Sequence, residues 1–170
     1  SFWFHCPMKW SNKSMELSKI LAIGLGGFLG AIGRYWISGL AQRIGNHFPY
    51  GTLSVNVLGS FILGLFATLF LEKMMVNQEL RLFLLVGLLG AFTTYSTFSL
   101  ETLNLMRSGA WMFAGLNILA NVAGTLIAVW AGISIAKLWW FILSCRDWIL
   151  RITFCSKAFS FHNVKTKLTK

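Results

Sequence analysis

Two apolar segments of this chain each carry three polar side chains at a spacing of four residues. Residues four apart lie one above the other on the same face of an α-helix. In a membrane, such side chains can join helices through hydrogen bonds of about 0.6–2 kcal/mol each, or they can line a polar pathway. One stripe alone would favour the first interpretation. The stripes consist of Thr52, Asn56 and Ser60, and of Asn117, Asn121 and Thr125.

A third polar feature is a run of five Thr and Ser side chains within residues 90–99. Thr and Ser offer side-chain hydrogen bonds that compete with the helical ladder, so the run predicts a broken helix. Backbone groups freed in lipid are costly, so such a break must be buried in protein or line a wet cavity. A continuous helix whose hydroxyls bond to preceding carbonyls is the alternative. Two stripes and a break together favour a polar pathway.

These polar residues lie in long stretches that carry no charged side chain. Of the 170 residues, 56% are hydrophobic and 12% are charged, about half the charged fraction of a soluble domain. A helix needs roughly 20 largely apolar residues to cross a hydrocarbon core about 30 Å thick. The pattern therefore predicts an all-α integral membrane protein with four spans. They begin near Ile20, Gly51, Leu82 and Trp111, and the first, second and fourth end near Gln42, Leu71 and Ala136.

Positive charge is concentrated outside these spans. The formal net charge is +10, and residues 139–170, which are rich in Trp and Phe, contribute half of it. A basic tail beside a membrane is attracted to anionic head groups, and no nucleic-acid-binding motif is present. Residues 1–14 contain no apolar segment of a signal peptide, and Met15 resembles a native start. We expect an N-terminal extension at 1–14 that need not be native, a membrane domain at 15–138, and a basic aromatic extension at 139–170.

Ionisable and nucleophilic residues form no catalytic or metal-binding pattern. Cys6, Cys145 and Cys155 all lie outside the spans, form no C-x-x-C pair and have no metal-ligand spacing to a histidine. We find no nucleophile–base pair either, so the chain is not expected to be an enzyme. Gly26 and Gly30 form a G-x-x-x-G pair, which allows close approach of a neighbouring helix. No strand precedes this pair, as a dinucleotide-binding fingerprint would require.

Three glycine-containing segments resemble the motifs of one membrane protein family. Residues 26–35 read GGFLGAIGRY, residues 51–61 read GTLSVNVLGSF, and residues 90–98 read GAFTTYSTF. In this order, and on spans of this spacing, they are similar to the first-, second- and third-helix motifs of the CrcB/Fluc fluoride channels. The resemblance covers about residues 17–138.

The resemblance implies both an assembly and an activity. It implies an antiparallel, dual-topology homodimer in the cell membrane, with the third helix broken, two fluoride pores and a central structural Na⁺ ion. The implied activity is passive export of fluoride from the cytoplasm, which lowers fluoride toxicity. Fluoride enters cells as neutral HF and is trapped as the anion. An inside-negative potential then drives it outward with about 2.3 kcal/mol per 100 mV.

The resemblance also assigns roles to individual residues. Asn56 would donate its amide N–H to fluoride, and Tyr95 and Phe98 would offer it the positive edges of their rings. Tyr95 stands where the family usually has Phe. The carbonyls of Gly90 and Thr93 would bind the sodium ion, because a break frees carbonyls for a cation. The remaining assignments place Ser96, Asn117, Asn121 and Thr125 along a polar track and Arg34 near a vestibule. For Arg34, extension of the side chain to the membrane interface is the alternative.

Two other classes of membrane protein are compatible with four spans. A small multidrug or cation exporter needs a carboxylate within the membrane. The spans contain no Asp or Glu except Glu101, at the edge of the third span, which argues strongly against this class. A structural subunit would not need two polar stripes and a broken helix. For Glu101 itself, pairing with a cation, exposure to solvent and a role in the pore all stay open. Lys and Arg near the span ends give only a weak orientation bias, compatible with insertion in both directions.

Overall fold

The computed structural model describes residues 17–45, 47–70 and 76–167, with side chains up to residue 142. The expected N-terminal extension at 1–14 lies outside these residues. So do the side chains of the expected C-terminal extension from residue 143 onward, including those of Cys145 and Cys155.

The described residues form helices joined by short turns, with no strand among them. Four helical stretches are long and apolar enough to cross a membrane, as the apolar pattern of the sequence predicts. The third of these, Gln78–Arg107, consists of several consecutive helical pieces. The elements are α1 (Leu17–Gln42), α2 (Tyr50–Thr68), α3 (Gln78–Arg81), a wider π-helix (Leu82–Leu89), α4 (Gly90–Phe92), α5 (Tyr95–Arg107) and α6 (Trp111–Lys167).

The all-α membrane fold predicted from the sequence is therefore confirmed, and the protein is a multi-pass protein of the cell membrane. Large apolar side chains on α1 and α6 point outward and are well exposed, as expected for surfaces in contact with lipid. Among them are Leu25, Trp36, Leu119, Ile127 and Trp130.

Some helix ends differ from the sequence prediction. α1 begins at Leu17 rather than at Ile20, and α6 runs past Ala136 to Lys167. No Gly or Pro follows Ala136 within α6, so the backbone meets neither of the residues that most often end a helix. The change of composition after Ala136 marks the end of the apolar part of α6, not the end of the helix. The predicted end of the second span at Leu71 lies outside the described residues.

Two turns hold consecutive spans together through defined contacts. Between α1 and α2, the Gln42 amide donates to the carbonyls of Gly45 at 2.8 Å and Phe48 at 3.0 Å. The same amide accepts the backbone N–H of Gly51 at 3.1 Å. Between α5 and α6, Gly109 has a φ of +76°, a left-handed conformation that glycine adopts without steric cost.

Glycines bring α1 into direct backbone contact with the third span. A Cβ atom on Gly26 would overlap the carbonyl oxygen of Phe83, and one on Gly30 would overlap that of Leu88. We call this contact, formed by Gly26, Gly30, Phe83 and Leu88, the glycine seam. It confirms that the G-x-x-x-G pair permits close approach of a neighbouring helix.

The packing of α2 on α6 uses the same device. A Cβ atom on Gly64 would overlap the carbonyl oxygen of Val129, and one on Gly132 would overlap that of Phe61. α2 is thereby held close to α6 along its second half. Its first half, which carries the polar stripe, faces the α5 and α6 residues that form the site.

Candidate functional site

The third span is interrupted at Thr93 and Thr94, inside the run for which the sequence predicts a break. Thr93 has φ −82° and ψ 155°, and Thr94 has φ −148° and ψ 117°, which are extended conformations. The helix restarts at Tyr95, and the Thr94 hydroxyl caps it by accepting the backbone N–H of Thr97 at 3.3 Å. The chain therefore crosses the membrane here as two half-helices joined by two extended residues.

The interruption takes the helical hydrogen-bond donors away from the carbonyl groups before it, including those of Gly90 and Thr93. In a continuous helix, the N–H of Thr94 would donate to the Gly90 carbonyl, and that of Thr97 to the Thr93 carbonyl. Instead, the N–H of Thr94 donates to Oδ1 of Asn56 at 2.8 Å, and the N–H of Thr97 donates to the Thr94 hydroxyl. Unwound carbonyls of this kind are suitable ligands for Na⁺. The residues present at the break therefore fit a small cation.

Asn56 lies opposite the break and is only 8% exposed. Besides accepting the Thr94 N–H, its Nδ2 donates to the Thr94 carbonyl at 3.1 Å and to Oδ1 of Asn121 at 2.9 Å. An amide nitrogen carries two protons. Both are therefore engaged inside the subunit, so an anion at Asn56 would have to replace one of these acceptors.

The hydrogen bonds continue from Asn121 across α6 and back to α5. Nδ2 of Asn121 donates to Oδ1 of Asn117 at 2.9 Å, and Nδ2 of Asn117 donates to the Thr102 hydroxyl at 2.9 Å. The Thr102 hydroxyl donates to the Phe98 carbonyl at 2.8 Å. The path thus starts at Thr94, the residue just before α5, and returns to α5 at Thr102, about two turns later. We call it the polar ring; its members are Asn56, Thr94, Phe98, Thr102, Asn117 and Asn121.

The two aromatic residues of the predicted pore are neighbours with different surroundings. The rings of Tyr95 and Phe98 have centroids 5.4 Å apart and planes tilted by 55°. Phe98 is 7% exposed, whereas Tyr95 is 78% exposed on the outside of the single subunit. Ser96 is exposed next to it, with its hydroxyl 3.4 Å from that of Thr94.

Glu101 is held against α2 by the first residue of the polar stripe. The Thr52 hydroxyl donates to one carboxylate oxygen of Glu101 at 2.7 Å, and the other oxygen is buried without a hydrogen-bond partner. Within the described part of the chain, no ion pair involves Glu101. A wide-mouthed cavity of about 330 Å³ lies beside it, at the end of the molecule where α5 ends and α2 begins. Its lining includes Gln42, His47, Phe48, Glu101, Asn104 and Ser108.

The remaining predicted residues lie outside the polar ring. Thr125 is half-buried on α6, and its hydroxyl donates to the carbonyl of Asn121 at 2.6 Å. Arg34 is half-buried on α1, one turn beyond Gly30. Among the described residues, no hydrogen bond joins Arg34 to the polar ring. Whether any of these side chains contacts an ion stays a prediction.

Two features of this site were not anticipated from the sequence. Thr102 completes the polar ring, and Thr52 binds Glu101 across 49 positions of the chain. A signal existed for Thr102, because it lies four residues after Phe98 and therefore on the same helical face. For the partner of Glu101 no local signal exists, since the contact depends on how α5 packs against α2.

Comparison with known proteins agrees with this architecture. The family model described as CrcB-like protein, Camphor Resistance (CrcB), matches residues 21–133. Three similar relatives, each named fluoride-specific ion channel FluC, come from Magnetococcus marinus, Opitutus terrae and Geobacter sulfurreducens. They are 50%, 52% and 46% identical over 71%, 68% and 71% of this chain and 98%, 90% and 98% of their own lengths. The matched region contains the second and third spans, most of the first and fourth, the break and the polar ring, so this chain belongs to the CrcB family.

Proposed function

We propose that this protein is a fluoride-selective ion channel, not an enzyme, and that it exports fluoride passively from the cytoplasm and so lowers fluoride toxicity. The observation that carries the proposal is the close similarity, over nearly their whole length, to relatives named as fluoride-specific ion channels. The site supports it, because polar groups and a helix break lie inside membrane spans. Polar side chains and a broken helix are costly in lipid, so their presence inside membrane spans indicates a functional site.

Fluoride is a small anion that needs donors in place of its water shell. We propose that the ring edges of Tyr95 and Phe98 and the hydroxyl of Ser96 supply them, since an aromatic ring has a positive edge. Asn56, Asn117, Asn121 and Thr125 would form the polar side of the same path. None of these groups carries a positive charge, so the ion would be held weakly enough to leave.

The exposed face of α5 supports a homodimer. Tyr95, Ser96, Thr97 and Ser99 are exposed on a single subunit, at the depth where the third span breaks. The Ser99 hydroxyl bonds to the Tyr95 carbonyl, and those of Ser96 and Thr97 lie within hydrogen-bond distance of the Thr94 hydroxyl. Lipid tails offer the exposed Tyr95 hydroxyl no partner, so we propose that a second copy of this chain covers this face. The weak orientation bias of the charged residues is compatible with an antiparallel pair.

A sodium ion is proposed at the break. The carbonyls of Gly90 and Thr93 would hold it, because the N–H groups that would normally bond to them are engaged elsewhere. When bound, the ion would balance the partial negative charge of these carbonyls and stabilise the extended conformation.

Arg34, on α1, would add positive potential at an entrance to the pore and raise the local anion concentration.

The membrane domain at 15–138 is proposed to carry the whole activity, because the family match at 21–133 lies inside it. A protein shortened to residues 15–138 should therefore keep wild-type fluoride efflux when reconstituted into liposomes. Loss of efflux from a folded and dimeric shortened chain would assign a role in transport to one of the extensions.

The test of the function is ion efflux from liposomes that hold fluoride or chloride, started by a potassium ionophore. We expect rapid loss of fluoride and retention of chloride. Asn56→Asp should block fluoride, because unit charges 4 Å apart repel by about 4 kcal/mol at an effective dielectric of 20, a population change of about a thousandfold. Thr68→Val is the matched control, since the Thr68 hydroxyl bonds only to the Gly64 carbonyl of its own helix.

Equal efflux of fluoride and chloride would contradict the proposal. The same liposomes test the cation exporter, the second class compatible with four spans. That class would move an organic cation in exchange for protons and would depend on Glu101. A Glu101-dependent cation flux without fluoride efflux would favour it.

A further inference from the structure

We infer that Asn56 is a positioning residue that keeps the third span broken. Its side chain bonds to both backbone groups of one residue, accepting the Thr94 N–H at 2.8 Å and donating to the Thr94 carbonyl at 3.1 Å. A neighbouring β-strand makes the same pair of bonds to an extended residue. Asn56 thus gives the Thr94 N–H an acceptor and the Thr94 carbonyl a donor, in place of the partners that a continuous helix would provide.

The orientation of the Asn56 amide is set by these contacts. The Thr94 N–H requires an acceptor, and the Thr94 carbonyl requires a donor, so the oxygen and the nitrogen of the amide cannot be exchanged. Oδ1 of Asn121 takes the second amide proton at 2.9 Å. Asn121 is itself oriented by its bonds to Asn117. The polar ring therefore holds Asn56 in the one orientation that fits the break.

The alternative partner of the Thr94 N–H is four residues away on the same chain. Without Asn56, that N–H could return to the Gly90 carbonyl, and the helix could continue through Thr93 and Thr94. An extended residue advances the chain by about 3.3 Å and a helical residue by about 1.5 Å. Closing the break would therefore move Tyr95 and Ser96 by several ångströms relative to α4 and turn them to another face.

This role differs from donating a proton to fluoride. The inference rests on the proposed function only where transport is measured, since the backbone conformation can be measured without any ion. In this role, Asn56 affects transport because it fixes the positions of Tyr95 and Ser96. A change at the Thr94 backbone should then act like a change at Asn56.

The first experiment measures ¹³Cα and ¹³Cβ chemical shifts of Thr93 and Thr94 by NMR, with the full chain in lipid nanodiscs. We expect extended-type shifts in the wild type, and movement toward helical or averaged values in Asn56→Leu. Thr68→Val, a loss of another buried polar group on α2, should leave both residues unchanged. The shifts of Thr102 should stay helical in every variant, which separates this effect from general unfolding.

The second experiment changes the backbone and leaves every side chain in place. Replacing Thr94 by its α-hydroxy acid removes the N–H and puts an ester oxygen opposite Oδ1 of Asn56. We expect fluoride efflux to fall about tenfold or more, the size of change that follows loss of one buried hydrogen bond. The same ester at Leu103, within the regular ladder of α5, is the matched control and should retain efflux.

Two results would overturn the inference. One is Asn56→Leu with wild-type shifts at Thr93 and Thr94. The other is wild-type efflux from the Thr94 ester, which would leave Asn56 a direct donor to the ion. If Asn56→Leu does not fold, the ester and the wild-type shifts still decide the matter. Absence of fluoride efflux from the wild type would refute the proposed function and leave the NMR result standing.

Discussion

The glycine seam and the polar ring are two different solutions to the same problem. Both hold helices together in a solvent where apolar side chains gain little by leaving the lipid. In the seam, Gly26 and Gly30 let two backbones touch, and the attraction comes from dispersion. In the ring, three asparagines and a threonine connect α2, α5 and α6 through directed hydrogen bonds.

The difference shows what each contact is for. The seam packs α1 against residues of the third span that are helical, and it leaves their helical conformation unchanged. The ring contacts the one place where that span is not helical, and it provides bonds for the Thr94 backbone groups. Hydrogen bonds in a chain also strengthen one another. We therefore expect changes in the seam to affect stability most, and changes near the ring to affect transport as well.

The largest expected effect comes from filling the seam. Gly30→Val would force a side chain into the Leu88 carbonyl, which is backbone and cannot turn aside. Overpacking usually costs about 1–3 kcal/mol, and we expect at least the upper end of that range. Gly39→Val is the matched control on α1, because nothing lies within 4 Å of a Cβ there. Unfolding in mixed micelles measures both, and equal stability of the two variants would show that the seam is not tight.

A smaller loss of stability is expected from the centre of the ring. Asn117→Leu would remove the bond to Thr102 and one bond from Asn121. Only the bond to Thr102 joins two helices, because Asn117 and Asn121 both lie on α6. Interhelical bonds in membranes contribute about 0.6–1.7 kcal/mol each, so we expect a loss of about 1–2 kcal/mol. Asn104→Leu, on an exposed position of α5, should change stability little in the same unfolding assay. A neutral Asn117→Leu would mean that the ring does not stabilise the fold.

Phe98→Ile should separate transport from stability. The two side chains are similar in volume, and such exchanges usually cost under about 1.5 kcal/mol, but isoleucine has no ring edge to offer an anion. We expect strongly slowed fluoride efflux from a folded dimer. Phe66→Ile is the matched control, because Phe66 stacks on Phe70 with centroids 5.3 Å apart. Wild-type efflux from folded Phe98→Ile would refute the pore assignment.

The smallest effect on stability is expected at Thr125. Its hydroxyl bonds only within α6, so Thr125→Val should change the free energy of unfolding by less than about 0.5 kcal/mol. If Thr125 borders the anion path, efflux should still fall. Ser134→Ala, another hydroxyl that bonds back to its own helix, should change neither quantity. Unchanged efflux in Thr125→Val would remove this residue from the proposed path.

Much of the fold follows from the sequence alone. Three long charge-free stretches predict three of the four spans, because a charged group at the membrane centre is costly. The first span is predicted from an apolar stretch that contains one charged residue, Arg34. The hydroxyl run around Thr93 and Thr94 predicts the interruption, since these side chains compete with the ladder. The G-x-x-x-G pair on α1 predicts a close contact. Each of these signals is local and needs no knowledge of the partner helix.

The polar contacts of the site could not be predicted in the same way. The spacing of Asn56 places it on the same face as Thr52, but not opposite the backbone of Thr94, 38 positions later. From the sequence, the amide of Asn56 is therefore expected to be free to donate to an ion. In the structure, both of its protons donate to groups of the same subunit. The membership of Thr102 in the ring and the contact of Thr52 with Glu101 likewise depend on the register between helices.

The spans pair in space in a different order from the one in which they are made. Gly30 and its partner Leu88 in the glycine seam are about 60 residues apart in the chain. At a translation rate of about 5–20 residues per second, α1 leaves the ribosome roughly 3–12 s before that partner has been made. In the same way, α2 is made several seconds before its partner α6. During biosynthesis the two glycines on α1 therefore spend seconds against lipid before the third span covers them.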